Sequence, residues 1–242
     1  MHSGINLAFQ MKVIFIGSAI IHDVQNNSIL ISQKNYIEDI AAKFHSHITM
    51  SYKTPIPLGI NFTTLANEDE EPKDTKKFPY HELISSLMYA TTVSWPDIAY
   101  SVNKLARYTT KPSQAHWNLA KHVLQFLYIT RDQSLMLGGN EPTLYAYANA
   151  DFAGDTEDRT STCGYAIFLG NSVVSWSSKK QTIVALSSTE AKYMVLLEAV
   201  WEVLWLRQFL QEIGIEINGP TIIYQDNLGT KGFALNKTLC AT

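Results

Sequence analysis

This sequence of 242 residues has few cysteines, no long apolar run and no strong excess of charge of either sign. The two cysteines, Cys163 and Cys240, are too few for a disulfide scaffold and favour a reducing environment. The most apolar run, residues 13–21, has nine residues against the roughly 20 of a membrane helix, so no membrane span is expected. With no basic segment and cleavage site at the start, we expect no signal peptide and an intracellular protein of the cytoplasm or nucleus.

The composition is that of a folded protein with two unequal halves. Apolar residues make up 46% of the chain, which is enough for a packed core. Residues 1–138 hold 12 basic and 11 acidic residues (+1), and residues 139–242 hold 7 and 11 (−4). The seam LGGNEP (137–142) is typical of a turn or linker. We therefore predict two domains, 1–138 and 139–242, and the formal net charge of −3 argues against binding nucleic acid by bulk charge alone.

The first half is predicted to contain short strands followed by helices. Residues 28–32 have the pattern of a strand, and residues 33–44 space their apolar side chains as a helix does. Pro96 is typical of the first turn of a helix, and Ser113 of the residue that caps one. His116 and His122, six residues apart in the helix after Ser113, are interpreted as ordinary helix residues.

The second half is predicted to be a mixed α/β sheet. Residues 144–151 alternate strictly, and residues 165–169 and 173–177 flank a hairpin turn. A long helix is predicted from about 188 to 213 with Gly214 behind it, and a further strand over 221–226. The crossover length favours a parallel return of that strand beside the first. The apolar stripe of the long helix is Met194, Leu197, Trp201, Leu204, Trp205 and Phe209.

This topology brings polar residues from three elements towards one end of the sheet. Asn149 and Asp151 lie at the end of the first strand, Glu190 in the first turn of the long helix, and Asp226 at the end of the last strand. Carboxylates there have the chemistry of a two-Mg²⁺ site for phosphodiester hydrolysis. Simpler roles are open: Ser187 and Glu190 have the spacing of a capping box, and Asp226 that of a turn residue.

Several ordered segments match one known family. In the second half they are YANADFAGD (147–155), DRTSTCGY (158–165), SWSSKKQ (175–181), LSSTEAKY (186–193) and DN (226–227). Through them, residues 143–236 resemble the ribonuclease H domain of copia-type LTR retrotransposon Pol polyproteins. Residues 9–137 look like the C-terminal end of the reverse transcriptase of the same polyproteins, through ISQKNY (31–36), WPDIAY (95–100) and TRDQSL (130–135).

The resemblance implies a fold, a chemistry and partners. The fold is a ribonuclease H-like mixed sheet with a long helix, preceded by a mainly helical thumb or connection region. The chemistry is cleavage of RNA in an RNA–DNA hybrid by two Mg²⁺ ions, with Glu190 and Asp226 matching two metal ligands. The partners are RNA–DNA hybrid or RNA, and no membrane. The family's first-strand aspartate matches Asn149, and Asp151 is a weak substitute for it.

Two departures from the family predict that the ribonuclease activity is lost. Asn149 is neutral and bridges two Mg²⁺ ions poorly, and loss of such a ligand costs orders of magnitude in rate. The family continues past the position of Asn236 with a final metal ligand that residues 237–242 do not match, so a C-terminally truncated domain is expected. The paired aspartates of the polymerase, upstream in the family, also have no counterpart, so no polymerase activity is expected.

Two further hypotheses are alternatives to the interpretation of the chain as a degenerate ribonuclease. In one, the chain is a non-catalytic module that binds nucleic acid, and Lys179 and Lys180, beside Trp176, contact phosphates. A pair of lysines is also typical of a solvated strand end. In the other, the chain is a non-functional relic, which would bind no hybrid.

Overall fold

A computed structural model describes residues 10–44, 52–57, 59–60, 62, 78–138, 142–155 and 158–226. The chain divides into two compact units, residues 1–139 and 140–242. The described residues form two four-stranded sheets and five α-helices, so the predicted α/β class is confirmed. In this described part, no helix combines the length and the apolar character that a bilayer crossing requires.

The first unit joins an antiparallel sheet to a layer of helices. Its strands are β1 (Gln10–Phe15), β2 (Ser18–Asp23), β3 (Ser28–Ser32) and β4 (Leu135–Gly138), paired in that order. Its helices are α1 (Lys34–Lys43), α2 (Tyr80–Val93), α3 (Ala99–Ala106), which follows a 3₁₀ turn at Pro96–Ile98, and α4 (Gln114–Thr130). Large aliphatic side chains of α2, α3 and α4 form the core, among them Leu87, Leu105 and Leu124.

Local signals in this unit are confirmed where the sequence carries them. Residues 28–32 form a strand and α1 lies within the predicted range. Ser113 caps α4, because its Oγ accepts the amide proton of His116 while its own amide donates to His116 Nδ1. His122 is also a helix residue, with Nε2 3.1 Å from the carbonyl oxygen of Thr54.

The second unit has the predicted mixed sheet. Its strands are β5 (Leu144–Ala150), β6 (Thr162–Leu169), β7 (Ser172–Lys180) and β8 (Ile222–Tyr224), and its helix is α5 (Ser188–Glu212). The spatial order is β7–β6–β5–β8, with β8 parallel to β5 and the other pairs antiparallel. Gly214 follows α5 with a φ of 82°, a conformation that favours glycine.

Helix α5 packs on the sheet through its small apolar residues. Its buried side chains are Ala191, Val195, Ala199, Val203, Leu206 and Leu210. They meet a sheet face lined by Ala146, Ala148 and Ala150. Of the predicted apolar stripe, Met194 packs against this core. The other stripe residues face away from the sheet, since an alanine-lined sheet leaves no room for tryptophan beneath the helix.

Candidate functional site

The parallel pair β5–β8 brings Asn149 and Asp226 into one groove. Tyr147 on β5 lies opposite Tyr224 on β8, so the residues two further along each strand share one end of the sheet. The groove has a volume of about 550 Å³ and is lined by both residues together with Tyr147 and Tyr224. Asn149 is exposed, and its Oδ1 accepts the amide proton of Ala150 at 2.9 Å.

Asp226 forms an ion pair with Lys192 of α5. The same turn is tied to the helix a second time, because Gln225 Nε2 donates to the carbonyl oxygen of Lys192 at 2.6 Å. The hydrogen bond from Lys192 lowers the pKa of Asp226 below its ordinary value. The carboxylate is therefore ionised at neutral pH, but one of its oxygens is already used by a cation of the protein.

Glu190 organises the beginning of α5. Its Oε2 accepts the amide proton of Leu186 at 2.6 Å, and its own amide donates to Oγ of Ser187 at 3.1 Å. The second bond satisfies an amide of the first helical turn, whereas Leu186 lies before the N-cap residue Ser187, so the Glu190 carboxylate holds the chain segment that enters the helix. Ser187 thus caps α5, but the Glu190 carboxylate accepts from Leu186 and not from the Ser187 amide as a capping box requires. Glu190 does not line the groove of Asn149 and Asp226.

Asp151 holds the loop between β5 and β6. Its carboxylate accepts the amide proton of Thr162, and its amide donates to the carbonyl oxygen of Thr162 at 3.1 Å. The same carboxylate lies against Gly154, so closely that a side chain at position 154 would collide with it. Asp151 therefore closes the end of the β5–β6 ladder, and it does not line the Asn149 groove.

The two lysines at the end of β7 differ in their surroundings. Lys180 Nζ lies 2.7 Å from a carboxylate oxygen of Asp155 and 2.7 Å from one of Asp158. The hydrogen bond from Lys180 contributes most to lowering the pKa of Asp158 well below its usual range. Lys179 is exposed. The charge of Lys180 is thus balanced by two carboxylates of the same unit.

The candidate ligands that the structure describes do not come together as a two-metal site. Among the residues that the structure describes, no three side chains of the types His, Cys, Asp and Glu lie together where they could hold a metal ion. The arrangement unites Asn149 with Asp226 and leaves Glu190 and Asp151 on separate hydrogen bonds. Residues 237–242, which do not match the family's final ligand, lie outside the described residues.

Two features of the groove were missed from the sequence. Tyr147 and Tyr224 are both exposed and stack on each other, with ring centroids 5.0 Å apart and an interplanar angle of 22°. Strict alternation places Tyr147 and Asn149 on one strand face, which was the available signal for this tyrosine. The pairing of Lys192 with Asp226 spans 34 residues, and no local pattern indicates it.

The sequence is similar to Pol polyproteins of plant transposons. The retrovirus-related Pol polyprotein from transposon RE2 of Arabidopsis thaliana is 38% identical over 207 residues, or 85% of this chain and 14% of the relative. The one from transposon TNT 1-94 of Nicotiana tabacum is 34% identical over 214 residues, or 88% and 16%. Secreted RxLR effector protein 161 of Plasmopara viticola is 42% identical over 132 residues, or 54% of this chain and 93% of that protein.

The chain spans about one sixth of the length of the Pol polyproteins that it matches. No protein-family model matches the chain. No solved structure matches it either.

Proposed function

Because the chain belongs to the family of Pol polyproteins from copia-type transposons, we propose that residues 140–242 are a ribonuclease H-like domain that does not cut RNA. One observation carries the proposal: in the groove between β5 and β8, the neutral amide of Asn149 accompanies Asp226 where the family has a carboxylate. Support for the domain comes from the strand order β7–β6–β5–β8 with a helical crossover to a parallel last strand.

The physical reason for inactivity is a shortage of negative oxygen ligands. Two Mg²⁺ ions bring four positive charges and bind hard anionic oxygens, preferably carboxylates. Asn149 supplies no charge, and Asp226 is paired with Lys192. Glu190 is hydrogen-bonded to the Leu186 amide. Each of these carboxylates thus has one oxygen engaged by a partner within the protein, which leaves fewer anionic oxygens for two cations.

Residues 1–139 extend the same proposal towards reverse transcriptase. We assign this unit to the C-terminal, thumb or connection part of that enzyme, on the similarity that covers 85–88% of the chain. Its helical layer supports the assignment, since α1, α2, α3 and α4 share one core. The proposal includes no polymerase chemistry.

The cleavage test uses the full chain and a labelled RNA–DNA hybrid, with Mg²⁺ and with Mn²⁺. We expect no metal-dependent cleavage of the RNA strand. The variant Asn149→Asp tests the missing charge, and Asn171→Asp adds the same charge at the exposed β6–β7 turn as a matched control. Cleavage by the unsubstituted chain that disappears in Glu190→Gln would contradict the proposal.

Metal binding gives a second readout that does not depend on turnover. Isothermal titration calorimetry with Mn²⁺ should show weak binding by the unsubstituted chain. Because a second carboxylate then faces Asp226, the affinity should rise in Asn149→Asp and stay unchanged in Asn171→Asp. An equal rise in both variants would show that the groove is not the site.

A second candidate function is binding of nucleic acid without cleavage, and the stacked tyrosines of the groove favour it. Aromatic faces accept bases of any sequence, and each stacked base is worth about 1–3 kcal/mol. Tyr147 and Tyr224 lie beside the amide of Asn149, which can donate to and accept from base edges. The exposed Lys179 adds one cation at the end of β7.

Fluorescence anisotropy with labelled RNA and RNA–DNA hybrid tests the binding function. Tyr147→Ala should weaken binding by about 5- to 150-fold, since one stacking partner is lost. Tyr100→Ala, which removes another exposed tyrosine from α3, should leave the affinity unchanged. A lack of binding at low salt would refute this second function and leave the cleavage proposal standing.

A further inference from the structure

The side of helix α5 that faces away from the sheet is apolar. We call the set Leu197, Trp201, Leu204, Trp205 and Phe209 the outer face of α5. Trp201 is 68% exposed, Leu204 58% and Trp205 57%. Trp205 and Phe209 stack on each other with ring centroids 5.5 Å apart, so the outer face is a continuous surface.

A helix that is apolar on both sides is normally covered on both sides. The inner side of α5 is covered by the sheet, where Ala191, Val195 and Ala199 are fully buried. Tryptophan in particular is rarely left this exposed, because one ring removes roughly 150–250 Å² from water when it packs. The outer face is therefore a candidate binding surface.

The area of the outer face matches the apolar part of a stable interface. With roughly 150–250 Å² for each large side chain, the exposed portions amount to about 500 Å². A specific interface buries about 800 Å² on each partner, of which about 65% is apolar in homodimers, or about 520 Å². The largest apolar patch of a typical monomer is about 300–600 Å² and is often functional.

The spacing along the helix is that of a seam between two helices. Leu197, Trp201, Leu204 and Gln208 follow at intervals of four, three and four, as positions do in a helix pair. This row carries no charged residue, so an identical row meets no like charge across it. The nearby acid Glu202 is turned towards the sheet, where its Oε1 accepts a hydrogen bond from Ser175 Oγ of β7 at 2.8 Å.

We propose that the outer face of α5 binds a second copy of this chain, in a symmetric helix-to-helix contact centred near Leu204. An uncharged apolar row is complementary to itself, which is the requirement of a two-fold interface. The row itself carries no charge by which to select a charged partner, and the exposed acid Glu212 lies at its C-terminal end, where it accepts a hydrogen bond from Gln208. The proposal is independent of the nuclease and nucleic-acid functions, because no residue of the outer face lines the Asn149 groove.

The mass of the full chain in solution tests the contact. Sedimentation equilibrium and light scattering from 1 to 100 µM should show a monomer–dimer equilibrium. Leu204→Glu places a charge in the seam and should shift the dissociation constant upward by at least 100-fold. Ile183→Glu, which adds the same charge at an exposed apolar residue between β7 and α5, should leave the dimer unchanged.

A charge-swap experiment distinguishes a lost contact from a misfolded variant. Leu204→Glu and Leu204→Lys should each be monomeric, with the circular dichroism of the parent chain. Mixed in equal amounts they should form a heterodimer, since the two positions face each other near the symmetry axis. A monomer at all concentrations, a dimer that survives Leu204→Glu, or a mixture that stays monomeric would each overturn the proposal.

Discussion

At the scale of single residues, Asp151 and Gly154 depend on each other. The Asp151 carboxylate accepts the Thr162 amide proton and occupies the space where a side chain at position 154 would lie. We expect Gly154→Ala to lower the free energy of unfolding by about 1–3 kcal/mol, because the added methyl group displaces that carboxylate. Urea denaturation monitored by fluorescence measures the loss.

A double-mutant cycle separates this collision from a general intolerance of position 154. Asp151→Ala alone should cost about 1–3 kcal/mol, because the Thr162 amide loses its acceptor. In the Asp151→Ala background, Gly154→Ala should cost less than about 0.5 kcal/mol. Equal costs of Gly154→Ala in the two backgrounds would show that the carboxylate is not what the methyl group meets.

The thiol of Cys163 illustrates how burial controls reactivity at one residue. Cys163 is buried, and burial raises its pKa to about 11, although Gln181 Nε2 donates to its Sγ at 2.9 Å. Since the thiolate is the reactive form, a Cys240→Ser variant should not react with an aromatic disulfide reagent at pH 8 until it unfolds. Rapid reaction of the native variant would contradict the assigned environment.

At the scale of elements, the contact of α5 with the sheet is set by small side chains. Ala199 is fully buried against the sheet. Ala199→Leu should therefore destabilise the second unit by about 1–3 kcal/mol through overpacking. Gln211→Leu, which adds leucine at an exposed position of the same helix outside the outer face, should change stability by less than about 0.5 kcal/mol. Thermal unfolding of both variants at 1 µM protein measures the two changes in stability. Similar losses of stability in both variants would contradict the packing of Ala199 against the sheet.

The elements of the second unit could be predicted because each one carries a local signal. Alternation in residues 144–151, the Gly170–Asn171 turn and Gly214 behind α5 all describe short stretches of chain. The β1–β2 hairpin is not predicted because Ile16 occupies the first position of its turn, with a φ of 47°. Asparagine or glycine is usual at that position, so the turn Ile16–Gly17 lacks the ordinary hairpin signal. Helix α2 and strand β4 were missed as well, and β4 pairs with β3 across more than 100 residues.

Side-chain roles at the candidate site depend on contacts that no local pattern carries. Alternation placed Asn149 at the end of its strand, and the parallel return of β8 placed Asp226 beside it. The bond from the Glu190 amide to Ser187 Oγ is the half of the predicted capping box that the structure contains, while the Glu190 carboxylate accepts from Leu186. The outward direction of Trp201 and Trp205 was not predictable from their spacing, since both sides of α5 are apolar.

At the scale of the whole molecule, the two units are stabilised by different kinds of core. The first is built from leucine, isoleucine and aromatic side chains of helices, with Leu87 and Leu124 fully buried. In the second, alanines from β5 and α5 meet each other. A core of large side chains loses more on truncation than one of alanines, so stability in the first unit is spread over more removable apolar volume.

The pH dependence of stability should follow from groups in both units. Burial lowers the pKa of His122, so the unfolded chain binds its proton first, and stability should fall as pH decreases from about 6.5. Hydrogen bonds from Lys180 and, to a smaller extent, from Thr160 lower the pKa of Asp158, and one from Lys192 lowers that of Asp226. These carboxylates stabilise the fold above about pH 4, and their contribution is lost as pH falls through their lowered values.

Two substitutions assign the two steps of this acid-induced loss. His122→Gln should flatten the stability curve between pH 7 and 5, because no proton is then taken up on unfolding at that position. Asp226→Asn should leave that range unchanged and reduce the slope below pH 4, since the ion pair with Lys192 is already absent. Chemical denaturation at 0.5-unit intervals of pH measures both slopes. If His122→Gln left the upper range as steep as in the parent chain, the first step would belong to another group.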